Sequence, residues 1–327
     1  MTYSIAFPNL GISFSHVGKT ISIFGFEIAY YGIVLAAAMV AGLFIAMWAA
    51  KKTGQNPDQY FDLAMIAIVV ALLCARIYYV IFSWDYYSRH PLEILNFRGG
   101  GLAIYGGVIG GVITCIVYGK VKKLNCMQLM DTACIGLVLG QAIGRWGNFI
   151  NQEAHGGLVT TPGLQFFPIS VNIGGEWFYA TFFYESMWCL LIVIALLTGE
   201  KKRWFPRRGD AFWSYVYLYA LERAVVEGMR TDSLMLGPWR VSRLLSLLAM
   251  LVATVRWAVR LTRAPRWLTA ASVALPLAAV ACMAGAEKGT LWQWASVLCV
   301  FASLAAEAAM LFIHNKRTKL ENRGEGL

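Results

Sequence analysis

The stretch AYYGIVLAAAMVAGLFIAMWAA, from Ala29 to Ala50, runs for 22 residues without a charged side chain. A helix of about 20 apolar residues crosses the roughly 30 Å hydrocarbon core of a bilayer. Eight more apolar stretches of similar length follow, at 61–83, 102–119, 127–145, 181–199, 211–229, 241–262, 267–286 and 291–313. The mean hydropathy is +0.58, and charged residues make up only 14% of the 327. The sequence therefore predicts an all-α polytopic membrane protein with nine spanning helices.

Basic residues cluster in the connections that would share one side of the membrane. Eighteen of the 28 lie there, at Lys51, Lys52, Lys120, Lys122, Lys123, Lys201, Lys202, Arg203, Arg207, Arg208, Arg256, Arg260, Arg263, Arg266, Lys316, Arg317, Lys319 and Arg323. The opposite side holds Lys19, Arg89, Arg98, Arg145, Arg230, Arg240 and Lys288. Because cytoplasmic loops collect lysine and arginine, the pattern predicts an external N-terminus and a cytoplasmic C-terminus. The net charge of +10 then follows from topology and contact with anionic lipid, and it does not indicate binding to nucleic acid.

The N-terminal residues argue against a cleavable signal peptide, and the cysteines argue against a metal or redox site. Residues 1–28 lack the basic region and short apolar run of a cleavable signal peptide, so we expect them to form an external N-terminal arm. The seven cysteines lie mostly in apolar stretches without CxxC spacing. They are interpreted as apolar filler, and no metal or cofactor is expected.

Three arginines fall inside predicted membrane spans: Arg76, Arg223 and Arg243. An ionisable residue at that depth is costly and usually faces a bundle interior or a wet cavity, which makes it a functional candidate. Arg243 lies near the start of its stretch, where a long side chain can reach the membrane surface. Snorkelling is therefore the simpler interpretation for Arg243.

The sixth stretch ends in YALERAVVEGMR, residues 219–230. Helical spacing places Tyr219, Arg223, Glu227 and Arg230 on a single polar stripe. Arg223 and Glu227 can form an ion pair along the helix. Two arginines against one glutamate leave positive charge for an anion to balance, although Glu222 could instead complete a purely structural network.

The fourth stretch runs into GRWGNFINQEAHGG, residues 144–157. It begins a connection of about 35 residues, 146–180, whose turn-like segments LVTTPG and VNIGGEW predict a small external cap with a hairpin. The guanidinium group of Arg145 suits a phosphate, Asn148 and Asn151 offer amide donors and acceptors, and Glu153 can orient an arginine. The alternative is an interfacial loop that satisfies its own backbone.

With these motifs the chain resembles the prolipoprotein diacylglyceryl transferase family. The resemblance rests on GRWGNFINQEAHGG, on GGLAIYGGVIGG at 100–111, on YALERAVVEGMR and on FFYES at 182–186, and it covers about residues 1–262. It implies a seven-helix core at 29–262 that includes the cap at 146–180. Residues 263–327 would add two transmembrane helices and a basic cytoplasmic tail.

The resemblance also implies an activity and a site. Such an enzyme moves the diacylglyceryl group of phosphatidylglycerol onto the lipobox cysteine of a prolipoprotein in the bacterial cytoplasmic membrane and releases glycerol phosphate. Matching positions imply a catalytic role for Arg145, Arg223, Tyr105 and Glu227. They imply substrate binding by Tyr31, Arg76, Asp131, Asn148, Asn151, Glu153, Gly156 and Tyr219.

The acceptor thiol must lose its proton, since its unperturbed pKa is about 8.5. Several members of the family carry a histidine where this chain has Tyr105, and a neutral tyrosine is a poor base. We interpret Tyr105 as a residue that positions lipid. His155 is a candidate base, and Glu153 and Glu227 are others. Two further hypotheses remain open: a transporter or flippase of anionic lipids, and a catalytically silent homologue that binds lipid.

Overall fold

The computed structural model describes residues 3–24, 26–97, 99–205, 207–231, 233–237, 239–260, 265–284 and 290–322. Arg98, Arg263, Lys288 and Arg323, which belong to the charge pattern above, lie outside these ranges. The chain divides into two compact units. The first comprises 1–38, 140–196 and 213–327, and the second comprises 39–139 and 197–212.

Each apolar stretch of the sequence forms a helix. The helices are α1 Tyr30–Lys52, α2 Pro57–Phe82, the short α3 Trp84–Tyr87, α4 Ile104–Val121, α5 Cys126–Asn151, α6 Thr181–Lys201, α7 Asp210–Val226, α8 Val241–Arg260, α9 Arg266–Ala284 and α10 Thr290–Asn322. Within the described residues, seven of them are long and apolar enough to cross a membrane: α1, α2, α4, α5, α6, α8 and Ala295–Ile313 of α10. The prediction of a helical, multi-pass membrane protein is thus confirmed. Of the nine predicted spans, α7 and α9 are not among the seven, and α7 has only 17 residues.

The first unit also contains strands, which the sequence analysis did not predict for the arm. The strands are β1 Tyr3–Phe7, β2 Ile12–Val17, β3 Thr20–Ile23, β4 Phe26–Ala29, β5 Ser170–Ile173, β6 Glu176–Tyr179, β7 Met235–Leu236 and β8 Trp239–Arg240. One antiparallel sheet has the order β2-β1-β5-β6, while β3 pairs with β4 and β7 with β8. Ile5 of β1 pairs with Phe14 on one side and with Ile173 on the other. The arm and the cap are therefore parts of one sheet.

The cap contains the predicted hairpin. β5 and β6 meet in the turn of VNIGGEW, where Gly174 and Gly175 have φ angles of 63° and 95°. Only glycine adopts such angles without strain. The sheet packs Ile5, Phe7 and Val171 against Phe182 at the start of α6, and Trp146 and Phe149 of α5 complete this core.

In the second unit, two glycines bring α4 against α2. A Cβ atom on Gly106 would clash with the Cys74 carbonyl oxygen, and one on Gly110 would lie 2.9 Å from the Cys74 Cβ. A Cβ on Gly111 would meet no described atom within 4 Å. The close contact between α4 and α2 therefore uses Gly106 and Gly110 and not Gly111.

Gly136, Gly140 and Gly144 lie four residues apart along α5, and small residues at that spacing can form a packing seam between helices. Within the second unit, a Cβ on Gly136 would clash with the Gly42 carbonyl oxygen of α1. Within the first unit, a Cβ on Gly140 would lie 3.4 Å from the Ala38 carbonyl oxygen. The described residues leave open space within 4 Å of a Cβ on Gly144. The seam therefore holds at Gly136 and Gly140 and ends before Gly144.

Helices α9 and α10 join the hydrophobic core formed by α7 and α8 in the first unit. That core includes Tyr217 of α7, Trp257 of α8, Ala279 of α9 and Met310 of α10, all buried. Arg243 of α8 is only 8% exposed and donates a hydrogen bond to Ser296 of α10. The snorkelling interpretation of Arg243 is therefore wrong, because its guanidinium group is held within the protein.

Candidate active site

The carboxylate of Glu185 lies at the centre of a cluster of arginines in the first unit. Its side chain is completely buried. Oε2 lies 3.0 Å from Nη1 of Arg145, and Oε1 lies 2.6 Å from Nη1 of Arg223. Nη1 of Arg230 approaches Oε1 at 3.7 Å. One acidic residue of α6 thus joins an arginine from the end of α5 to two arginines from α7 and its following turn.

Hydrogen bonds between α5 and α6 fix the position of Glu185. The hydroxyl group of Ser186 donates to the Ala142 carbonyl oxygen at 2.8 Å, and the indole of Trp146 donates to the Ser186 hydroxyl at 3.1 Å. At the start of α6, Thr181 donates its hydroxyl to the Ala154 carbonyl oxygen at 2.6 Å. Because these bonds flank Arg145 and Glu185 in sequence, they hold the two charged groups in register.

A second ion pair extends the cluster along α7. Nη2 of Arg223 lies 2.7 Å from Oε2 of Glu227, four residues further on. Arg240 donates to the Glu227 carbonyl oxygen, to the Arg230 carbonyl oxygen at 2.8 Å and to the Ser233 hydroxyl at 3.1 Å. These three hydrogen bonds hold the turn that follows α7, and they therefore fix the backbone positions of Glu227 and Arg230.

Arg145 also contacts the polar stripe directly. Its Nη2 donates to the hydroxyl oxygen of Tyr219 at 3.3 Å, while its Nη1 faces Glu185. The structure thus brings Arg145, Tyr219, Arg223 and Glu227 together.

Exposure divides the cluster into a buried layer and an open layer. The carboxylates of Glu185 and Glu227 are 0% and 1% exposed, whereas the arginine side chains at 145, 223 and 230 are 16%, 17% and 12% exposed. Three guanidinium groups meet two carboxylates within ion-pair distance. Glu222 is also buried, but its two carboxylate oxygens accept no hydrogen bond from the described residues. The accessible side of the cluster is therefore cationic and suits an anion.

The GRWGNFINQEAHGG segment ends α5 in a tight turn. Glu153 Oε1 accepts hydrogen bonds from the side-chain amides of Asn148 and Asn151 at 3.0 and 3.4 Å. Gln152 and Ala154 both take positive φ angles, 56° and 57°. The carboxylate of Glu153 therefore holds the two asparagines of its own turn, and the expected contact with an arginine is not seen among the described residues.

Gly156 joins this turn to the arginine cluster. Its backbone forms an antiparallel bridge with Arg230, and its N–H donates to the Tyr179 carbonyl oxygen at 3.0 Å. A Cβ atom there would lie 2.6 Å from the Tyr179 Cβ and 3.3 Å from the Met229 carbonyl oxygen. The position requires glycine because three backbone segments approach closely.

Tyr31 and His155 lie in the same unit. A Cβ atom on Gly147 would lie 2.8 Å from the Tyr31 ring, so that ring packs on α5 at the residue before Asn148 and about one turn before Asn151. Nδ1 of His155 lies 3.0 Å from the Gly156 carbonyl oxygen, and the imidazole ring packs 4.5 Å from the ring of Phe178. A hydrogen bond to that carbonyl places the proton on Nδ1, which leaves Nε2 as the acceptor.

Comparison with known proteins identifies the family to which the chain belongs. The family model for prolipoprotein diacylglyceryl transferase matches residues 19–259, which include every residue of the cluster. The chain belongs to the prolipoprotein diacylglyceryl transferase family. It is 45% identical over 230 residues to the phosphatidylglycerol–prolipoprotein diacylglyceryl transferase of Clostridioides difficile strain 630, covering 70% of this chain and 90% of that protein. The enzymes of the same name from Bacillus cytotoxicus and Bacillus mycoides are each 43% identical over 241 residues, covering 72% of this chain and 88% of theirs.

Three other residues implied by the transferase resemblance lie in the second unit. Arg76 donates to the carbonyl oxygens of Glu93 and Ile94 and to those of Gly100 and Gly101, at distances of 2.5 to 3.0 Å. Its guanidinium group also lies 5.1 Å from the Tyr87 ring centre. These bonds hold the loop between α3 and α4, so a role in substrate binding remains a prediction for Arg76.

Asp131 and Tyr105 also have contacts within that unit. Asp131 accepts the N–H groups of Gly209 and Phe212 at 2.5 and 2.8 Å, and thus satisfies free donors at the start of α7. The ring centre of Tyr105 lies 6.4 Å from that of Tyr78 on α2. A substrate-binding role for Asp131 and a catalytic role for Tyr105 both remain predictions.

The sequence analysis missed Glu185 and Arg240. A signal for Glu185 was present, because FFYES places an acidic residue within an apolar stretch, where any ionisable group is a candidate. The described residues contain no group of three or more His, Cys, Asp or Glu side chains that could hold a metal ion.

Proposed function

We propose that this protein transfers the diacylglyceryl group of phosphatidylglycerol to the cysteine thiol of a prolipoprotein. The observation that carries the proposal is the cationic face of Arg145, Arg223 and Arg230 over the buried Glu185. The names of the relatives from Clostridioides and Bacillus support the same reaction.

The reaction exchanges one bond for another at a glycerol carbon. The thiolate sulfur attacks the carbon that carries the phosphoester oxygen. A carbon–sulfur thioether bond forms, the carbon–oxygen bond breaks, and glycerol phosphate leaves with the electron pair. The negative charge that collects on the departing phosphate is stabilised by fixed cations in a site with little water.

We assign this work to Arg145 and Arg223. Each guanidinium group uses one nitrogen for Glu185, and the second nitrogen of each is held by Tyr219 or Glu227. Held in this way, the two groups present a fixed array to the phosphate and need no rearrangement as charge develops. Glu185 and Glu227 act as positioning residues for these arginines. Asn148, Asn151, Tyr31 and Gly156 are assigned to the surroundings of the lipid.

The thiol proton has three candidate acceptors in the first unit: His155, Glu153 and Glu227. Oε1 of Glu153 already accepts hydrogen bonds from Asn148 and Asn151, which makes it a weaker base. His155 keeps Nε2 free if Nδ1 donates to the Gly156 carbonyl group. Glu227 already pairs with Arg223, which makes it a weaker base as well. We therefore favour His155, and we assign Tyr105 to lipid positioning. In this scheme His155→Gln lowers the rate of transfer more than Tyr105→Phe does.

An apolar cavity adjoins the cluster. It has a volume of about 280 Å³ and is lined by Val34, Ala37, Ala142, Ile143, Trp146, Ser186 and Leu190. Two of its lining residues, Trp146 and Ser186, directly follow Arg145 and Glu185 in the sequence. An anionic lipid suits this pairing of a cationic face with an apolar space.

We further propose that the protein lies in the cytoplasmic membrane of a bacterium with its N-terminus outside and its C-terminus inside. The excess of lysine and arginine in one set of connections supports this orientation. The phosphate-binding face would then meet the outer leaflet, where a secreted precursor presents its lipobox.

The test is a transfer assay with the purified protein, phosphatidylglycerol vesicles and a lipobox peptide. We expect mass spectrometry to show a diacylglyceryl gain on the peptide cysteine together with free glycerol phosphate. Arg145→Ala and Arg223→Ala should each remove most of this activity while the protein remains folded. A transporter or a silent lipid-binding homologue would yield neither product, and wild-type rates in either variant would refute the phosphate-binding role.

A further inference from the structure

Helix α10 lies beyond the residues that match the transferase family, yet it reaches the helices that carry the site. Ser296 and Ser303 are seven residues apart and therefore share one face of the helix. Both are completely buried. Ser303 shares a hydrogen bond of 2.7 Å with the hydroxyl group of Tyr217, and Ser296 accepts one of 3.0 Å from Nη2 of Arg243.

The partners of these serines belong to α7 and α8. Tyr217 is two residues before Tyr219 and faces α10, so α7 lies between the arginine cluster and α10. Arg243 belongs to the first turn of α8, three residues after Arg240. One face of α10 thus contacts both helices that border the cluster.

Arg243 depends on this contact. It is 8% exposed, and within the described part of the chain its Nε has no hydrogen-bond partner and no carboxylate lies within ion-pair distance of it. Among the described residues, Ser296 is the only hydrogen-bond partner of the Arg243 side chain. Ser296 in turn donates to the Ala279 carbonyl oxygen of α9 at 3.3 Å. A buried cation without such a partner is costly, so the family-matched part of the chain alone would leave Arg243 unsatisfied.

The first turn of α8 connects the contact between Ser296 and Arg243 to the turn at Glu227–Arg230. Nη1 of Arg243 lies 3.7 Å from the position of a Cβ on Gly228, the residue after Glu227. Arg240, one turn earlier, binds the carbonyl oxygens of Glu227 and Arg230. A shift of Arg243 would therefore move the turn that holds Glu227 against Arg223.

We propose that Ser296 of α10 is a positioning residue for the transfer reaction, acting through Arg243 on the turn at Glu227–Arg230. The hairpin of α9 and α10 then stabilises the positions of the phosphate-binding arginines and is more than additional lipid-facing structure. The inference rests on the proposed function, and wild-type transfer activity is measured first so that the two can fail separately.

The experiment compares Ser296→Ala with Ser296→Thr and with Ser272→Ala in the full chain. Ser272 is the matched control, because it is a fully buried serine of α9 whose hydroxyl, among the described residues, bonds only the Thr269 carbonyl oxygen of its own helix. We expect Ser296→Ala to lower kcat on the order of tenfold per folded protein, since a hydrogen bond to a charged group is lost. KM for the peptide should stay unchanged, and the Kd for phosphatidylglycerol should rise about threefold. Ser296→Thr should restore both values, and Ser272→Ala should stay within about twofold of wild type.

A double-mutant cycle with Arg243→Met shows whether Ser296 acts through the arginine. If it does, adding Ser296→Ala to Arg243→Met has no further effect on kcat or on lipid Kd. Equal behaviour of Ser296→Ala and Ser272→Ala would overturn the inference, as would full additivity in the cycle. A wild-type protein that binds lipid but transfers nothing would refute the proposed function, and the cycle read on lipid Kd would still decide the role of Ser296.

Discussion

Arg145 and Arg223 bind opposite oxygens of the same Glu185 carboxylate, at 3.0 and 2.6 Å. The carboxylate fixes the separation of the two guanidinium groups, which come from different helices. A phosphate bound between them would meet both without a conformational search. The geometry of the site therefore depends on a residue that is itself inaccessible to substrate.

Glu185→Gln tests that dependence. The change keeps the shape of the side chain but leaves three partly buried guanidinium groups, those of Arg145, Arg223 and Arg230, without their shared anion. Breaking a fully buried pair costs about 3–5 kcal/mol, and the exposed edge of these arginines lowers that cost. We expect transfer to fall by about 10²-fold and the unfolding midpoint to fall as well. Glu176→Gln, at an exposed position on β6, is the control and should match wild type. Normal transfer by a folded Glu185→Gln protein would contradict the positioning role.

Arg145→Lys separates charge from geometry. A lysine keeps the positive charge but cannot reach Glu185 and Tyr219 with two nitrogens held in one plane. We expect a loss of about 10² in kcat, the scale for removing one fixed donor from a developing anion. The same change at the exposed Arg208 should leave kcat within twofold. If Arg145→Lys retains most activity, charge alone is sufficient at this position.

Gly156→Ala and Gly157→Ala form a matched pair. A methyl group on Gly156 would lie 2.6 Å from the Tyr179 Cβ, whereas one on Gly157 would meet no described atom within 4 Å. Overpacking of this kind typically costs about 1–3 kcal/mol. We expect Gly156→Ala to reduce both thermal stability and transfer, and Gly157→Ala to change neither. Equal effects at the two positions would contradict the requirement for glycine that the close contacts at Gly156 predict.

Asp131→Asn distinguishes a structural role from substrate binding. Asp131 caps the first turn of α7, and loss of a cap typically costs about 0.5–2 kcal/mol. We expect a lower unfolding midpoint and an unchanged lipid KM in the folded fraction. Asp210→Asn, which changes the neighbouring acid within α7 itself, serves as a comparison. A raised lipid KM in Asp131→Asn without loss of stability would restore the substrate-binding prediction.

The helices could be predicted from the sequence because bilayer thickness sets a minimum apolar length that is visible without any tertiary contact. Arg223 and Arg145 stood out for the same reason, as charges at or beside such stretches. Glu185 did not stand out, since it lies near the start of an otherwise apolar helix and its partners lie on other elements of the chain. Its role depends on contacts 38 to 40 residues away in sequence.

The sheet illustrates a second limit. Ile5 and Ile173 are paired although they lie far apart in the sequence. No local pattern of apolar residues predicts such a distant partner. The short strands of the arm have no apolar stretch to mark them. The position of Arg243 was misjudged for a similar reason, because its partner Ser296 lies 53 residues further on.

The central place of β1 in its sheet also has a consequence for biosynthesis. A ribosome that adds about 5–20 residues per second needs roughly 8 to 34 s to travel from Ile5 to its partner Ile173. During that interval the nascent arm has β2 on one side and nothing on the other. Completion of this sheet therefore waits until about half of the chain has been made, although its first strand is among the earliest segments to be made.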